Sequence, residues 1–336
     1  IARAGLKSKR ICIVADSNTA SLYLEEVKHV LNFLGAELSS FIFPAGEEHK
    51  NLDTVREIYE TLIEHAFDRR DVLLALGGGV TGDLCGFCAA TYLRGIRFVQ
   101  VPTSLLSQVD SSIGGKTGVD FLSYKNMVGA FHMPSLVYSN VSAFRTLPAQ
   151  EFASGMGEVI KHGLIRDREY YHWLWSHREQ IKSKDPAALA YLVHVSDRIK
   201  KAVVEEDPYE KGIRGILNFG HTLGHAIEKE ENFTLNHGSC VALGMAAAFS
   251  LCIQKGYLLP EDRKDLEKML SYYDLPHSYA LRNREAVLKA TLHDKKMEGG
   301  QIKFILLKKI GEAFIEQSIT LAQIKEALEE IDTAFN

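Results

Sequence analysis

The chain has 336 residues, 46% of them hydrophobic, and its 39 basic and 43 acidic residues give a formal net charge of −4. That length and hydrophobic content suffice for two domains, each with its own core. A slightly acidic chain with no basic tract is not expected to bind nucleic acid, although a few convergent Lys and Arg residues suffice for a small anion. The longest apolar run, residues 241–253, is too short to span a membrane, so it predicts a buried helix and no membrane partner.

Five widely spaced cysteines do not form the pattern of a disulfide framework, and the first residues lack the features of a signal peptide. Both observations favour a reducing, cytoplasmic location. Cys85 and Cys88 form a C-x-x-C pattern within an Ala- and Gly-rich run of helical character. We interpret them as small packing residues rather than as a redox pair.

Strand and helix signals alternate in the first half of the chain. In chain order, we predict a strand at 11–15, a helix at 22–34, a strand at 37–43, a helix at 52–66, and strands at 72–76, 98–101 and 136–138. Regular alternation of this kind favours a parallel, doubly wound sheet.

After Pro148 the strand signals nearly vanish and long helical patterns replace them. One late exception is the apolar run 302–307, which predicts a short strand. The last helix begins at a capping box formed by Thr320 and Gln323, since an apolar face with helical spacing follows it.

We therefore predict an α/β N-terminal domain with a Rossmann-like parallel sheet, followed by a mainly α-helical C-terminal domain. The change of pattern places the boundary near residues 147–150, which gives domains of residues 1–147 and 148–336. The sequence contains no evident internal repeat or low-complexity segment.

A glycine-rich turn follows the strand predicted at 72–76. Residues 77–82 read GGGVTG and match G-x-G-x-x-G between a strand and a helix, which is the context that a dinucleotide-binding turn requires. Glycines let the backbone approach a pyrophosphate, and the free N–H groups of the helix start face the anion. The usual acidic residue about twenty positions later is not obvious, so Asp16, at the end of the first strand, is the candidate ribose ligand.

A long polar run covers residues 102–126, in which Asp110, Lys116, Lys125 and Asn126 stand among glycines. The run is too polar for a core and too rich in glycine for a simple helix. Long loops in compact domains are more often functional than not, so we predict a binding loop here. Lysines and an Asn amide beside glycine-rich backbone suit a phosphate or a carboxylate.

The strongest metal-binding signal is a set of three histidines with one carboxylate. His221 and His225 are four residues apart and would share a helix face, His237 follows, and Glu158 lies at the start of the helical half. Two imidazoles and a carboxylate form a typical catalytic zinc site. Spacing alone does not choose between His225 and His237 as the second imidazole, and polar residues on a helix surface are the simpler alternative.

Together these segments resemble the 3-dehydroquinate synthase family, and the similarity extends from about residue 11 to about residue 307. The matching blocks are 46–50 (GEEHK), 75–83 (ALGGGVTGD), 91–95 (TYLRG), 101–120 (VPTSLLSQVDSSIGGKTGVD), 125–126 (KN), 158–161 (EVIK), Arg214, 217–228 (LNFGHTLGHAIE) and 293–296 (HDKK).

The resemblance implies an NAD-dependent, zinc-dependent enzyme, with Co2+ as a further possible metal. Its reaction would convert a small anionic sugar phosphate, 3-deoxy-D-arabino-heptulosonate 7-phosphate, into 3-dehydroquinate and phosphate, a step of the shikimate pathway to aromatic amino acids. The first domain would bind NAD, and the second would bind the metal and the substrate.

The same resemblance implies roles for individual residues. Zinc would be held by Glu158, His221 and His237, whereas His225 would lie near the substrate phosphate. The other phosphate ligands would be Lys116, Asn126, Asn218 and Lys295, with Arg94 reaching in from a second subunit of a homodimer. Lys200 and Arg214 would bind the substrate carboxylate, and Asp110 and Lys161 would hold ring hydroxyls. NAD contacts would come from Asp16, Asn18, Glu47, Lys50, Gly78, Gly79, Asp83, Thr103, Ser104, Lys125 and Thr146. The groups acting in catalysis would be Asp110, Lys161, Lys200 and His225.

Two alternatives share this scaffold. Another sugar-phosphate cyclase would differ at the phosphate and carboxylate positions, where Asn218, His225, Lys295 and Arg214 favour 3-dehydroquinate synthase. A metal-dependent dehydrogenase of the glycerol type would release NADH in a net oxidation.

Overall fold

The computed structural model describes residues 8–122, 124–232, 234–297 and 302–333, without the side chains of 293–297. The chain forms two compact units, Ile1–Leu147 and Pro148–Asn336.

The first unit is an α/β unit built on a parallel sheet. In chain order it contains β1 (Arg10–Asp16), α1 (Ser17–Asn32), β2 (Glu37–Phe43), α2 (Leu52–Glu64), β3 (Val72–Gly77), α3 (Gly79–Thr91), β4 (Arg97–Pro102), β5 (Lys116–Phe121), β6 (Tyr124–Phe131) and β7 (Leu136–Val137). Five strands form one sheet in the order β2-β1-β3-β4-β7, and every neighbouring pair is parallel. The predicted fold class is confirmed.

Side chains of β1 explain why the sheet is covered on both faces. Ile11 and Ile13 pack on one face, in a core that also contains Leu24 of α1. Cys12 and Val14 pack on the other face, in a core that also contains residues of α2 and α3. Successive side chains of a strand point to opposite faces, so a strand buried on both sides has a continuous apolar sequence.

Two local predictions for this unit differ from the structure. Helix α1 begins five residues before the apolar period at residue 22, because Asp16 caps its N-terminus. The polar run 102–126 is not a plain loop: it contains the helical turn Ser107–Ser111, all of β5 and the start of the antiparallel partner β6. Gly118 and Gly129 face each other in this hairpin, and a Cβ on Gly118 would lie 2.9 Å from the Val128 carbonyl oxygen. Paired glycines therefore allow strands where composition alone indicates a loop.

The second unit is mainly helical, as predicted. It contains α4 (Ala149–Arg166), α5 (Arg168–Ser176), α6 (Arg178–Lys182), α7 (Pro186–Glu206), α8 (His221–Glu230), α9 (His237–Gln254), α10 (Pro260–Tyr272), α11 (Arg284–Met297), β8 (Phe304–Lys309), β9 (Glu312–Glu316) and α12 (Leu321–Ile331). The predicted late strand corresponds to β8, which pairs with β9 in an antiparallel hairpin. The capping box of Thr320 and Gln323 begins α12 as predicted.

Helix α9 is the central apolar helix of this unit. Among the described helices it is the one whose length and composition would allow a membrane span, but 83% of its apolar window is buried inside the protein. A Cβ on Gly238 would lie 2.1 Å from the Ser154 carbonyl oxygen of α4, and one on Gly244 would lie 1.8 Å from the Gly220 carbonyl oxygen. Glycine at these positions therefore brings α9 into backbone contact with α4 and with the start of α8.

Candidate functional site

The glycine turn joins β3 to α3 at the carboxyl edge of the sheet. Gly78 is the N-cap residue of α3, and no side chain in the described part of the chain caps this helix. A Cβ on Gly77 would lie 2.4 Å from Thr81 Oγ1, and one on Gly82 would lie 2.7 Å from Gln100 Oε1. Close packing against Thr81 thus requires glycine at residue 77, and the first N–H groups of α3 form a surface suited to an anion.

Hydrogen bonds join the ends of β1, β3 and β4 beside this turn. Asp16 Oδ1 accepts the N–H groups of Asn18 at 2.9 Å and Thr19 at 3.0 Å, and Asp16 Oδ2 accepts the Thr81 hydroxyl at 3.3 Å. The Thr103 N–H donates to the Gly77 carbonyl oxygen at 2.9 Å. The structure therefore brings Asp16, Asn18 and Thr103 to the glycine turn, with the Asp16 carboxylate already engaged as a helix cap.

Lys50 organises a second polar cluster in this unit. Its Nζ donates to Asp83 Oδ2 at 2.7 Å and to Asn126 Oδ1 at 2.6 Å, and it lies 3.8 Å from Glu47 Oε1. Burial alone would lower the pKa of Lys50, but the Asp83 and Glu47 carboxylates outweigh burial and hold that pKa above its usual value. Lys50 is therefore charged, and it joins α3 to the hairpin strand β6.

Ser104 and Thr146, two of the predicted NAD contacts, have hydroxyl groups that lie in local hydrogen-bond networks. Ser104 Oγ donates to Ser107 Oγ at 2.9 Å, within the turn that follows β4. Thr146 Oγ1 contacts the hydroxyl of Tyr23 on α1. These contacts fix the orientation of both side chains at their positions in the α/β unit.

The remaining predicted residues of this unit lie elsewhere on it. Arg94 lies on an exposed turn beyond the C-terminal end of α3, with φ of 67°, so it is at the opposite end of this helix from the glycine turn. Lys116 begins β5 and Lys125 lies near the start of β6, and both are exposed. Asp110 is half-buried in the helical turn that follows β4.

In the second unit, Glu158 of α4, His221 of α8 and His237 of α9 converge. Glu158 Oε1 lies 3.4 Å from Nε2 of His221 and 3.5 Å from Nε2 of His237. One potential ligand atom from each residue lies within 4.8 Å of the others. A fully buried carboxylate is costly unless positive charge compensates it. Two imidazole nitrogens and this carboxylate therefore fit a divalent ion such as Zn2+.

Neighbouring groups set the charge and orientation of this cluster. Lys161, one turn after Glu158, forms an ion pair with Oε2. Burial alone would raise the pKa of Glu158, but Lys161 and His221 outweigh it and hold that pKa well below its usual value. Nδ1 of His221 lies 3.2 Å from the Phe219 carbonyl oxygen, so its Nε2 is directed towards Glu158.

His225 and Glu228 form a second group with His237, whose potential ligand atoms also lie within 4.8 Å of one another. Nδ1 of His237 lies 3.7 Å from Glu228 Oε2. Burial alone would lower the pKa of His237, but Glu158 and Glu228 outweigh it and raise that pKa to about 9. The ring centroids of His221 and His225 are 5.1 Å apart, so all three predicted histidines lie together.

Among the described residues of this unit, three Lys and Arg side chains are buried: Lys161 is 1% exposed, Lys200 7% and Arg214 2%. Arg214 Nη1 donates to the Pro208 carbonyl oxygen at 2.6 Å, and the backbone N–H of Arg214 donates to Asp207 Oδ2 at 3.1 Å. Buried cations at fixed positions are suited to an anionic ligand.

Two acidic residues that the sequence patterns do not single out lie beside predicted site residues. Asn218 Nδ2 donates to Glu210 Oε1 at 3.0 Å. Asp197 lies one helical turn before Lys200, and burial raises the pKa of Asp197 to about 7 although Lys200 opposes the change. Helical spacing to Lys200 is the signal that could have identified Asp197. The side chain of Lys295, a predicted phosphate ligand, lies outside the described residues.

The sequence matches profiles of known proteins over most of its length. Residues 40–154 match the profile of the 3-dehydroquinate synthase N-terminal domain, and residues 155–297 match that of the C-terminal domain. The 3-dehydroquinate synthase of Acetivibrio thermocellus is 44% identical over 304 residues, which are 90% of this chain and 84% of that protein. The 3-dehydroquinate synthase of Symbiobacterium thermophilum is 44% identical over 326 residues, 96% of this chain and 91% of that protein.

Solved structures of related cyclases share the fold. A 2-epi-5-epi-valiolone synthase from Streptomyces hygroscopicus with bound NAD+ and Zn2+ has a TM-score of 0.91 and 27% identity, over 97% of this chain and 91% of that one. A 2-deoxy-scyllo-inosose synthase in complex with carbaglucose-6-phosphate, NAD+ and Co2+ has a TM-score of 0.85 and 25% identity, over 96% and 91%. With profiles that match both halves and relatives 44% identical over nearly the whole chain, this protein belongs to the 3-dehydroquinate synthase family.

Proposed function

We propose that this chain converts 3-deoxy-D-arabino-heptulosonate 7-phosphate into 3-dehydroquinate and inorganic phosphate, with NAD+ and a divalent metal as cofactors. The metal is Zn2+ in the simplest case, and Co2+ is a second candidate, since the related cyclase structures contain one or the other. Residues 1–147 bind NAD, and residues 148–336 bind the metal and the substrate.

The observation that carries the proposal is the cluster of Glu158, His221 and His237 in a unit that also buries Lys161, Lys200 and Arg214. A metal-type donor set alone would suit many hydrolases or dehydrogenases. Buried cations in the same unit add a means of binding anions. A sugar phosphate that also has a carboxylate has two anionic groups to bind.

The first unit supports NAD binding through its glycine turn and the groups beside it. The start of α3 receives the pyrophosphate, and Asp16, Thr103 and Ser104 surround this turn. Further NAD contacts are assigned to Gly78 and Gly79 of the turn, to Asn18 beside it, to Glu47, Lys50 and Asp83 of the Lys50 cluster, and to Lys125 and Thr146.

The reaction is redox-neutral overall. When bound, NAD+ supplies a transient hydride acceptor, and the metal supplies a positive charge that lowers the pKa of a substrate alcohol. Oxidation of that alcohol to a ketone would acidify the neighbouring C–H, whose proton would pass to the substrate phosphate as the phosphate leaves. Return of the same hydride to the ketone, ring opening and an intramolecular aldol addition would then give the carbocycle without net change of NAD+.

The protein's own groups position the substrate. Lys200 and Arg214 bind the carboxylate, Asp110 and Lys161 hold ring hydroxyls, and the phosphate is held by Arg94, Lys116, Asn126, Asn218, His225 and Lys295. Fixing both anionic ends places the reacting carbons without further loss of entropy, and positioning of this kind accounts for much of an enzymatic rate gain.

We assign Arg94 to the phosphate of a second copy of the chain, which makes the active protein a homodimer. Its exposure at the far end of α3 from the glycine turn supports this assignment. We infer a cytoplasmic location, which the five buried free thiols support.

A phosphate-release assay with purified protein, NAD+ and Zn2+ tests the proposed function. With the heptulosonate phosphate as substrate, we expect inorganic phosphate without net accumulation of NADH. NADH formed in proportion to product would identify a dehydrogenase instead. Phosphate released from a sedoheptulose phosphate alone would identify a different sugar-phosphate cyclase, the alternative that the shared fold of the valiolone synthase keeps open.

A further inference from the structure

Glu228 lies behind His237, one of the two histidines of the candidate metal site. It lies near the C-terminal end of α8 and is only 6% exposed. Its Oε2 lies 3.7 Å from Nδ1 of His237, whose Nε2 lies 3.5 Å from Glu158 Oε1 on the other edge of the ring. The imidazole of His237 is therefore held between two buried carboxylates that face different ring nitrogens.

His221 follows the same pattern with a different partner. Its Nδ1 lies 3.2 Å from the Phe219 carbonyl oxygen, and its Nε2 lies 3.4 Å from Glu158 Oε1. Both rings thus direct Nε2 towards Glu158 and have an oxygen behind Nδ1. Histidines that bind metals usually donate the N–H of the other ring nitrogen to a carboxylate or a carbonyl group, which fixes the tautomer and the ring orientation.

We propose that Glu228 is a positioning residue that holds His237 with its proton on Nδ1 and its Nε2 directed into the Glu158 cluster. The inference rests on the metal site of the proposed function and extends it to a residue outside the ligand set. Glu228 and Glu158 face different nitrogens of one imidazole and belong to different groups of potential ligands, so Glu228 lies outside the Glu158 ligand set. Ligation of a second ion by His225, Glu228 and His237 is the competing arrangement.

Metal affinity of the purified protein, freed of metal and titrated with Co2+ and Zn2+, tests the inference without an activity assay. Replacement of Glu228 by Gln keeps an acceptor but removes its charge, and Glu228→Leu removes both. Loss of such an outer partner typically weakens metal binding about 10-fold to 100-fold. We expect Glu228→Gln near the lower end of that range, Glu228→Leu near the upper end, and partial recovery in Glu228→Asp.

Glu231→Gln is the matched control. Glu231 lies one turn further along, is 3% exposed, and accepts the Arg282 N–H at 2.9 Å, away from the histidines. We expect it to bind Co2+ as tightly as wild type. Equal affinity of wild type and Glu228→Leu would overturn the inference, and so would two ions per wild-type chain with one per Glu228→Leu chain.

The wild-type titration distinguishes failure of this inference from failure of the proposed function. A wild-type chain that binds no metal contradicts the proposed function itself, whereas a wild-type chain that binds metal with unchanged affinity in the Glu228 variants contradicts the inference alone. Nitrogen NMR of 15N-histidine-labelled, zinc-loaded wild type needs no variant of Glu228. His237 should show a proton on Nδ1 and metal on Nε2, and metal on Nδ1 would overturn the inference.

Discussion

The two units assemble their polar clusters in opposite ways. In the first unit, the glycine turn and the residues beside it follow the carboxyl ends of β1, β3 and β4, so backbone groups of adjacent strands determine the geometry. In the second unit, Glu158, His221 and His237 come from three helices, of which α4 is far in sequence from the consecutive α8 and α9, and side chains alone form the cluster. A sheet edge is fixed by its hydrogen bonds, whereas a cluster between helices depends on how closely the helices pack.

The difference predicts where each unit is vulnerable. The edge of a parallel sheet keeps its geometry with any apolar sequence that forms the strands. The first unit therefore depends most on the glycines of its turn and on the buried ion pair of Lys50 and Asp83. In the second unit, we expect metal affinity to fall when a ligand is replaced or when the separation of α4, α8 and α9 changes.

The largest expected effect is that of His237→Ala. Loss of one of three ligands should weaken metal binding by more than about 100-fold, since loss of an outer partner alone costs about 10-fold to 100-fold. Activity should disappear with the metal. His225→Ala should keep the metal and lose activity, because we assign His225 to the phosphate. Metal analysis of the two purified variants measures the difference, and the reverse pattern would make the ligand assignment wrong.

Lys50→Met tests the buried ion pair of the first unit. It leaves Asp83 without the ammonium 2.7 Å away, and removal of one partner of a buried pair costs about 3–5 kcal/mol. Hydrogen exchange of β1 and β3 amides should accelerate accordingly, and NAD affinity should fall. Lys28→Met is the control, because Lys28 pairs with Glu25 at 3.1 Å on the surface and should cost less than about 1 kcal/mol. Equal effects of the two changes would refute the role of burial.

Gly238→Ala tests the helix separation. The new methyl group would overlap the Ser154 carbonyl oxygen, so α9 must move away from α4 at a cost of about 1–3 kcal/mol. Metal affinity should fall with it, because His237 precedes Gly238. Gly215→Ala is the control, since its Cβ would lie an ordinary 3.5 Å from Ile315 Cδ1. Unchanged Co2+ binding in Gly238→Ala would show that the cluster does not depend on this contact.

Asp197→Asn gives the smallest effect and depends on pH. The folded chain holds the pKa of Asp197 at about 7, against an ordinary 3.8, so between these values the folded state binds more protons than the unfolded state. The free energy of unfolding therefore falls as pH rises from about 4 to about 7. At pH 8, Asp197→Asn should stabilise the second unit by about 1–2 kcal/mol after screening, and at pH 4 by nearly nothing.

Tryptophan fluorescence during urea unfolding measures this change, because Trp173 and Trp175, the two tryptophans of the chain, both lie in α5 of the second unit. Asp265→Asn is the control, since Asp265 is an exposed partner of Lys268 and should show no such pH dependence. A stabilisation by Asp197→Asn that is equal at pH 4 and pH 8 would contradict the assigned pKa.

Much of the fold follows from the sequence because the central strands β1 and β3 are continuous apolar runs that end at turn residues. The run 72–76 followed by three glycines predicts β3 and the turn correctly. The polar run 102–126 fails as a loop prediction, because the alternation of Thr117 and Val119 in β5 is too short to stand out among glycines. Helix α1 starts early because a cap, and not hydrophobic periodicity, determines its first residue.

Spacing alone could not identify the metal cluster. His221 and His225 share a helix, which any periodicity finds, but the distance from either of them to His237 depends on how α8 packs against α9. Only the resemblance favoured His237, and the structure brings all three rings together. Helical spacing to Lys200 could have identified Asp197, but its burial depends on packing, and the contact between Glu210 and Asn218 follows no regular spacing.

The burial of every cysteine gives the protein an internal reporter of local opening. Cys12, Cys85 and Cys88 lie in the first unit and Cys240 and Cys252 in the second, and burial raises the pKa of the Cys12 thiol to about 11 and that of Cys252 to about 12. A thiol reagent can therefore modify either set only when its own unit opens. Mass spectrometry of partly alkylated chains would then time the opening of the two units separately, in one sample and without any introduced label.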